Sequence, residues 1–395
     1  MMFTSGEVPM SYFQILDNNR DCYGVYQDNR LLTENVDPQT LKYTWNYHPL
    51  YPAECASLYV KGKSVSETIP QKHKNAWLEL KEQKTAFLKS FQNAKIDLNE
   101  HCFYDLVPKS FLLRYNFYKN EATKYVIKNV PKPSNYDYLY RYAQLLDKIS
   151  KQTLNTDKRT SFLYKARHKK ELTSYIDYNL FGTVTGRLTT KKHSFPILNI
   201  EKNFRSILKP QNHFFVEFDL NAADIRTFIS LLGKEQPKTD IHEWNKQNIF
   251  KEDMDRSEAK ERFFAWFYNP IKEDAALEQY YDKTVLLRNF LMNGSVKTPY
   301  NRVIESDEYH ALSYLVQSTS NDVVLNAACE IDDFLHDSKS HITCMMHDSV
   351  VIDMHNDDVP KVEEIKEMMS DSKIGYFHNT SVSVGKDYGN LYEIS

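Results

Sequence analysis

The sequence predicts an α+β protein in which helices accompany a small antiparallel sheet. Residues 213–219 (HFFVEFD) alternate in the manner of a strand. Residues 342–354 form two short apolar arms around His347 and Asp348, which is the pattern of a tight hairpin. Between these segments, residues 222–232, 255–268 and 311–338 have helical patterns. Strands separated by blocks of helix are typical of the α+β class.

The first part of the chain offers fewer motifs. Further helices are predicted at 71–95, 135–152 and 161–178, and prolines 131 and 133 separate the first of these from the second. Residues 1–100 are expected to form a small N-terminal α/β region whose role the sequence does not indicate.

Composition excludes several classes of protein. Only 10 of 395 residues are glycine, which argues against a glycine-rich dinucleotide fold. No apolar run approaches 18 residues, so no membrane partner is expected, and the N-terminus lacks the pattern of a signal peptide. The five cysteines are scattered without a C-x-x-C pair, which predicts reduced thiols and a cytoplasmic location.

Positive charge is concentrated in one part of the chain. Residues 156–210 hold twelve Lys or Arg and four acids, a net of 12 − 4 = +8, whereas the whole chain has a net charge of −3. The remaining residues therefore carry −3 − 8 = −11. This distribution indicates a track for a polyanion, and a solvated lysine-rich helix face is the alternative.

Two carboxylates stand at the ends of apolar segments. Asp219 and Asp348 are 348 − 219 = 129 positions apart. Strand alternation places Asp219, Glu217 and Phe215 on one face, and Met346, Asp348 and Val350 on one face of the second arm. If the strands are neighbours, the two acids converge and suit Mg²⁺, which keeps several waters and needs few protein ligands. The alternative is that each acid only ends a strand.

The helix at 255–268 carries a ridge of side chains spaced four apart, namely Arg256, Lys260, Phe264 and Tyr268. On a helix this ridge is about 18 Å long. Its cations suit phosphates, and its aromatic rings suit a sugar and a base. An ordinary amphipathic helix with a charged start is the alternative.

Seven segments together resemble motifs of the family A DNA polymerases, in the same order. They are 183–188 (TVTGRL), Asn199 with Arg205, 219–226 (DLNAADIR, motif A), 240–242 (DIH), 256–268 (RSEAKERFFAWFY, motif B), Gln317 within 314–319 (YLVQST), and 347–349 (HDS, motif C). Each segment is weak alone. Their ordered occurrence over residues 160–395 favours template-directed DNA synthesis from dNTPs.

The resemblance implies a right-hand polymerase fold with an antiparallel palm sheet, helical fingers and a helical thumb. Its boundaries would be a thumb at 101–180, the palm at 181–232 and 311–395, and fingers at 233–310. The basic stretch would then lie where duplex DNA runs.

The resemblance also implies roles for individual residues. Asp219 and Asp348 would bind two Mg²⁺ ions, for which Mn²⁺ can substitute. Lys260, Arg256 and His242 would hold the triphosphate, and Lys260 would act as the acid for pyrophosphate. Phe264, Tyr268 and Asp224 would surround the incoming sugar and the base pair. Primer–template contacts are implied for Arg187, Asn199, Arg205, Gln317 and His347.

The chain departs from the family at several positions. Ser349 stands where motif C has Glu, so a third carboxylate is lost unless Glu217 or Asp353 compensates. Asp224 stands where motif A has a Glu that blocks a 2′-hydroxyl. Leu198 replaces a Gln. The first 150 residues contain no Asp-x-Glu, which predicts no proofreading exonuclease in this chain, and the small size suggests a phage-like replication enzyme.

Two other functions remain open from the sequence. One is a single-subunit RNA polymerase, which Asp224 and the short chain disfavour. The other is a catalytically inactive polymerase fold that binds primer–template or a replication accessory protein. Retention of Asp219, Asp348 and the whole motif B ridge argues against loss of activity.

Overall fold

The computed structural model describes residues 11–16, 24–98, 100–269 and 271–394. These residues form two compact units, Met1–Tyr140 and Arg141–Ser395. In the part of the chain so described, no helix has the length and apolarity needed to cross a membrane.

The first unit combines short strands with two long helices. Its strands are β1 (Phe13–Ile15), β2 (Val25–Gln27), β3 (Arg30–Leu32), β4 (Tyr43–Thr44) and β5 (Glu54–Cys55). Its helices are α1 (Ala56–Tyr59), α2 (Val65–Thr68), α3 (Lys74–Asn93), α4 (Phe103–Leu106) and α5 (Lys109–Asn129). β1, β2 and β3 form an antiparallel meander, and β4 pairs with β5 in parallel. This unit therefore mixes helices with short strands, and the boundary expected at residue 100 stays a prediction.

One cysteine in this unit contradicts the expectation of reduced thiols. Cys102 is disulfide-bonded. Cys55, Cys329 and Cys344 are free and buried, and Cys22 lies outside the described residues. The prediction of reduced thiols rested on the spacing of the cysteines along the chain. This spacing does not show which cysteines the fold brings together.

The second unit begins within helix α6 (Tyr136–Ser150). Up to the sheet it contains β6 (Asn155–Thr156), α7 (Lys158–His168), β7 (Tyr178–Asn179), β8 (Thr189–Thr190) and β9 (Leu208–Lys209). There follow β10 (Phe214–Leu220), α8 (Ala223–Leu231), α9 (Ile241–Asn245), α10 (Arg256–Phe267), α11 (Ala275–Tyr280) and α12 (Lys283–Phe290). The rest is β11 (Leu291–Met292), β12 (Ser295–Lys297), β13 (Val303–Glu305), α13 (Glu308–Phe334), β14 (His341–Met346), β15 (Ser349–Met354), α14 (Val362–Ser370), β16 (Thr380–Gly385) and β17 (Tyr392–Glu393).

A five-stranded antiparallel sheet forms the centre of this unit. Its order is β14-β15-β10-β16-β17, so the strand at 214–220 lies between the hairpin and β16. Both faces of β10 are largely covered, since Phe215, Val216 and Phe218 are buried. Phe215 lies beside the ring of Tyr388, whose hydroxyl donates a hydrogen bond to Glu217.

Helices α8, α10, α12 and α13 enclose one apolar core, whose largest side chains include Phe228, Phe263, Trp266 and Tyr281. Burying rings of this size contributes strongly to stability. α13 is long because its apolar residues recur on the faces that meet this core and α6. Lys148 and Arg141 of α6 pair with Asp332 and Asp333 of α13.

The expected helix at 161–178 is shorter and begins earlier. Asp157 caps α7 by accepting a hydrogen bond from the Thr160 backbone N–H at 2.8 Å. The helix ends at Lys169, whose left-handed backbone (φ 53°) breaks the helical path. Beyond the helix the chain is extended, and the apolar residues Ile176 and Tyr178 of this segment are buried.

Candidate active site

Asp219 and Asp348 lie at the same end of two neighbouring strands. β10 and β15 are antiparallel, with Asp219 opposite Ser349. Asp348 precedes Ser349 in the two-residue turn of the hairpin, and its carbonyl oxygen accepts a hydrogen bond from the Leu220 N–H at 3.1 Å. The turn is closed by His347 in a left-handed conformation (φ 52°). Strand alternation therefore does not apply to Asp348, and its expected placement on one face with Met346 and Val350 is wrong.

The two carboxylates are held in surroundings that disfavour their charge. Burial, together with Asp224 and Asp219, raises the pKa of Asp348 to about 7 against the opposing effect of Arg187. Burial, followed by Glu217 and Glu393, raises the pKa of Asp219 to about 6. Acids that repel one another in a partly buried site are expected where a cation completes the charge balance.

The donor set fits divalent cations that arrive with a substrate. Among the described residues there is no group of three or more His, Cys, Asp or Glu able to hold a metal ion. Mg²⁺ accepts one or two carboxylates and takes its other ligands from water and substrate phosphates. Asp219 and Asp348 would hold such ions, which supply charge neutralisation for phosphoryl transfer.

Of the two residues considered as substitutes for the missing motif C Glu, only Glu217 lies beside Asp219. It lies two residues before Asp219 on β10, and its Oε1 accepts hydrogen bonds from Ser349 Oγ (2.9 Å) and the Tyr388 hydroxyl (3.0 Å). Asp353 is opposite Phe215, four positions or about 13 Å from Ser349 along β15. It accepts hydrogen bonds from the backbone of 211 and 212.

A cavity of about 290 Å³ opens beside Asp348. Six of the residues singled out in the sequence line it: Asp224, His242, Arg256, Lys260, Phe264 and Asp348. Its other walls include Arg226, Asp240 and Asn379. Asp219 and Tyr268 do not line this cavity among the described residues, although each is linked to a residue that does.

Helix α10 presents the cationic part of the ridge to this cavity. Asp255 caps the helix, and its side chain and that of Glu258 form a reciprocal capping box. Arg256 is bound to Asp240 through Nε (3.1 Å) and Nη2 (2.6 Å). Asp240 also caps α9, where His242 lies. Lys260 forms no ion pair with the described residues, so its charge is available to a ligand.

His242 is 3% exposed and faces the cavity. Its Nδ1 has no hydrogen-bond partner within the described chain. Burial lowers the pKa of His242 to about 4, and Arg256 and Lys260 lower it against the attraction of Asp240. In a neutral imidazole, Nδ1 can carry the proton, and an unpaired N–H that lines the cavity suits a hydrogen bond to an anionic ligand.

Asp224 connects the cavity to three residues expected to touch DNA or the base pair. One nitrogen of Arg187 lies 3.1 and 3.0 Å from the two Asp224 oxygens, and the Tyr268 hydroxyl donates to Asp224 at 2.7 Å. Gln317 lies close to the Tyr268 hydroxyl. Burial opposes the charge of Arg187, but Asp224 and Asp348 raise its pKa above the usual value.

The turn that carries Arg187 rests on a buried ion pair that the sequence reasoning missed. Gly186 has φ 81°, and a Cβ there would lie 2.5 Å from Arg302 Nη1. Arg302 binds Asp322 through Nε (3.0 Å) and Nη2 (2.5 Å), and Asn321 donates to the Gly186 carbonyl at 3.0 Å. The sequence indicates this ion pair only through Asp322, a charged residue inside the apolar run of α13.

The remaining expected DNA contacts are dispersed. Asn199 is exposed at the end of the 3₁₀-helix Ile197–Asn199. Arg205 lies over the ring of Tyr388 at 5.6 Å, and the hydroxyl of Tyr388 donates to Glu217. His347 shares a small cavity of about 30 Å³ with Arg187, Leu198 and Asp348.

No protein-family model matches the sequence, and no curated protein matches it either. The structure does match a solved one, the POL domain of Pol1 from M. smegmatis in complex with DNA primer-template and dNTP. The TM-score is 0.54 at 12% identity, and the match covers 71% of this chain and 75% of that chain. The chain therefore shares its fold with a DNA polymerase domain.

Proposed function

We propose that this protein is a template-directed DNA polymerase that adds dNTPs to a primer 3′-hydroxyl. One observation supports this most strongly: the cavity beside Asp348 gathers Arg256, Lys260, His242 and Phe264 from two helices. The match to a polymerase domain solved with primer-template and dNTP supports the same reading. The palm would comprise the β10 sheet, and the fingers would include α9 and α10.

The cavity residues divide into those that hold phosphates and those that hold the nucleoside. Lys260 and His242 would contact the β- and γ-phosphates, and Arg256 would join them by exchanging Asp240 for phosphate. Phe264, whose ring stacks on Tyr268 at 5.6 Å, would carry the sugar and base. Positioning and charge neutralisation dominate phosphoryl transfer, so these contacts account for most of the catalysis.

The reaction would occur at the edge of this cavity nearest Asp219. The primer 3′-hydroxyl gives its proton to a water molecule and its oxygen bonds to the α-phosphorus. The bond between this phosphorus and the bridging oxygen breaks, and pyrophosphate leaves. Lys260 would give a proton to the leaving pyrophosphate. Two Mg²⁺ bound by Asp219 and Asp348 would supply the charge stabilisation when present. Arg187, Gln317 and His347 would contact the primer–template, with Asn199 and Arg205 further out.

Sugar choice would depend on Asp224. Its carboxylate is fixed by Arg187 and Tyr268, so it forms a rigid floor below the expected sugar position. Asp is one methylene shorter than Glu, which leaves room there. We therefore infer weak rejection of ribonucleotides. The absence of Asp-x-Glu in the first 150 residues supports synthesis without proofreading.

Primer extension tests the proposal. The purified protein, Mg²⁺ and a labelled primer are combined with dNTPs or NTPs on DNA and on RNA templates. We expect extension on DNA with dNTPs, and its loss in Asp219→Asn. Asp337→Asn, which changes a fully solvated carboxylate, serves as the matched control. Preference for NTPs would indicate an RNA polymerase, and tight primer–template binding without extension would indicate the non-catalytic alternative.

A further inference from the structure

Helix α7 carries its large apolar side chains on the side that faces solvent. Phe162 is 70% exposed and Leu163 is 53% exposed. The opposite side of the helix is formed by Tyr164 and His168, whose rings pack on Phe204 at 5.2 and 5.7 Å. Phe162 and Leu163 are adjacent, apolar and exposed to solvent on an ordered helix, and such a pair indicates a binding surface.

Four exposed cations flank this apolar pair. They are Lys158, Arg159, Lys169 and Lys170. The first two precede Phe162 and Leu163 by four residues, which places them on the same side of the helix. Within the described part of the chain none of the four forms an ion pair. In contrast, Lys165 and Arg167 of the same helix pair with acids.

The arrangement fits a polyanion that carries flat apolar groups. Lys158 and Lys169 are about 16 Å apart along the helix, with the apolar pair between them. A nucleic acid strand with unpaired bases offers phosphates to the cations and rings to Phe162. A duplex keeps its bases stacked inside, an acidic peptide lacks regularly spaced rings, and a membrane requires a longer apolar face than two adjacent residues.

The helix is fixed to the segment that leads into the central sheet. The Asp157 N–H donates to the Ile207 carbonyl at 2.8 Å, and β6 pairs with β9 just before β10. Phe204, on which α7 packs, belongs to the 3₁₀-helix Lys202–Ile207. α7 is thereby joined to the segment that precedes β10.

We propose that the outer face of α7 binds single-stranded nucleic acid. Unpaired bases stack on Phe162 beside Leu163, and the four cations contact the phosphates on either side. This surface is separate from the cavity beside Asp348, and its ligand is an unpaired strand, whereas the cavity takes a nucleotide. The proposal therefore goes beyond the polymerase activity and does not depend on it.

Fluorescence anisotropy with a labelled 20-nucleotide oligothymidylate tests the surface, because this probe contains no primer–template duplex. Phe162→Ala should weaken binding about tenfold, the size of one base–aromatic stacking contact. Phe162→Leu should lose nearly as much because it keeps an apolar side chain but removes the ring, and Phe162→Trp should restore binding. Leu78→Ala, at a 44% exposed leucine on α3, is the matched control and should bind normally.

Salt dependence separates stacking from charge. Phe162→Ala should leave the slope of log K against log salt unchanged, whereas a Lys158→Ala, Arg159→Ala double variant should reduce its magnitude by about 1.4, or about 0.7 for each lost phosphate contact. Equal binding by Phe162→Ala and the wild type would overturn the proposal. So would wild-type binding by Phe162→Leu, or Phe162-dependent binding to phosphatidylserine–phosphatidylcholine vesicles with no binding to the oligonucleotide. Failure here would leave primer extension unaffected.

Discussion

Two carboxylate sites in the Arg141–Ser395 unit differ in how far the protein itself balances their negative charge. Asp322 is 1% exposed and is bound by two nitrogens of Arg302, so its charge is balanced inside the protein. Asp348 is surrounded by Asp219 and Asp224, and the nearby Arg187 donates its hydrogen bonds to Asp224. The first site lies under the turn at Gly186, and the second borders the cavity.

The difference indicates which site supports the fold and which is left for a ligand. A buried charge whose partner is removed destabilises the protein strongly, so Asp322 and Arg302 must remain together. The charge at Asp348 is incompletely balanced by the described chain, and an external cation can complete it. The same residue type therefore has a structural role at 322 and a proposed catalytic role at 348.

The largest expected effect is on activity at the second site. Asp348→Asn should lower the rate of primer extension about 1,000-fold or more, because several kcal/mol of charge stabilisation in the transition state would be lost. It should not lower the free energy of unfolding, since it removes a carboxylate that repels its neighbours. Single-turnover extension and urea unfolding measure the two quantities. A normal extension rate in Asp348→Asn would contradict the proposed role.

The opposite pattern is expected at the first site. Asp322→Asn should lower the free energy of unfolding by about 3–5 kcal/mol because Arg302 would be left buried without its partner. Asp333→Asn is the matched control on the same helix, since its pair with Arg141 is exposed and should contribute at most about 1 kcal/mol. Urea denaturation compares them. Equal losses of unfolding free energy in the two variants would show that burial does not determine how much the Arg302–Asp322 pair stabilises the protein.

An intermediate effect is expected where Glu217 and Ser349 meet. Glu217→Ser should weaken the apparent Mg²⁺ affinity in extension assays about tenfold, the scale seen for residues that support metal ligands. The double variant Glu217→Ser, Ser349→Glu moves the carboxylate to the neighbouring strand and should recover most of the loss. Wild-type Mg²⁺ dependence in the single variant, or no recovery in the double, would count against a supporting role.

An effect of about the same size concerns sugar choice. Asp224→Glu should increase discrimination against rNTPs about tenfold, because a difference of one methylene in a pocket is worth about 1–3 kcal/mol. The ratio of kcat/KM for a dNTP and its rNTP measures this. Unchanged discrimination would indicate that the Arg187 and Tyr268 contacts, and not the length of the side chain, determine the shape of this wall.

Local pattern was sufficient to predict the elements that carry the site. The strand before Asp219, the hairpin around Asp348 and the capped helix at Arg256 each follow from periodicity and capping within about a dozen residues. The sequence predicts the tight turn correctly. Strand alternation does not continue through this turn, so it could not give the position of Asp348. The helix predicted at 161–178 extends beyond the true end of α7. Lys169 ends the helix in a left-handed conformation, and because it is not a glycine the sequence does not indicate this end.

Contacts between distant residues could not be predicted in this way. Arg187 and Asp224 are 37 positions apart, and only the fold shows that a residue expected to touch DNA is held by an acid. Likewise, Glu393 lies on β17, which is separated from β10 by β16, and its charge helps to raise the pKa of Asp219.

Manganese binding tests whether Asp219 and Asp348 share a metal site. Electron paramagnetic resonance can count Mn²⁺ bound to the protein with primer–template and a non-hydrolysable dNTP. We expect two protein-dependent ions in the wild type, with loss of at least one in both Asp219→Asn and Asp348→Asn but not in Asp337→Asn. Unchanged stoichiometry and affinity in both site variants would contradict a shared metal site at these two aspartates.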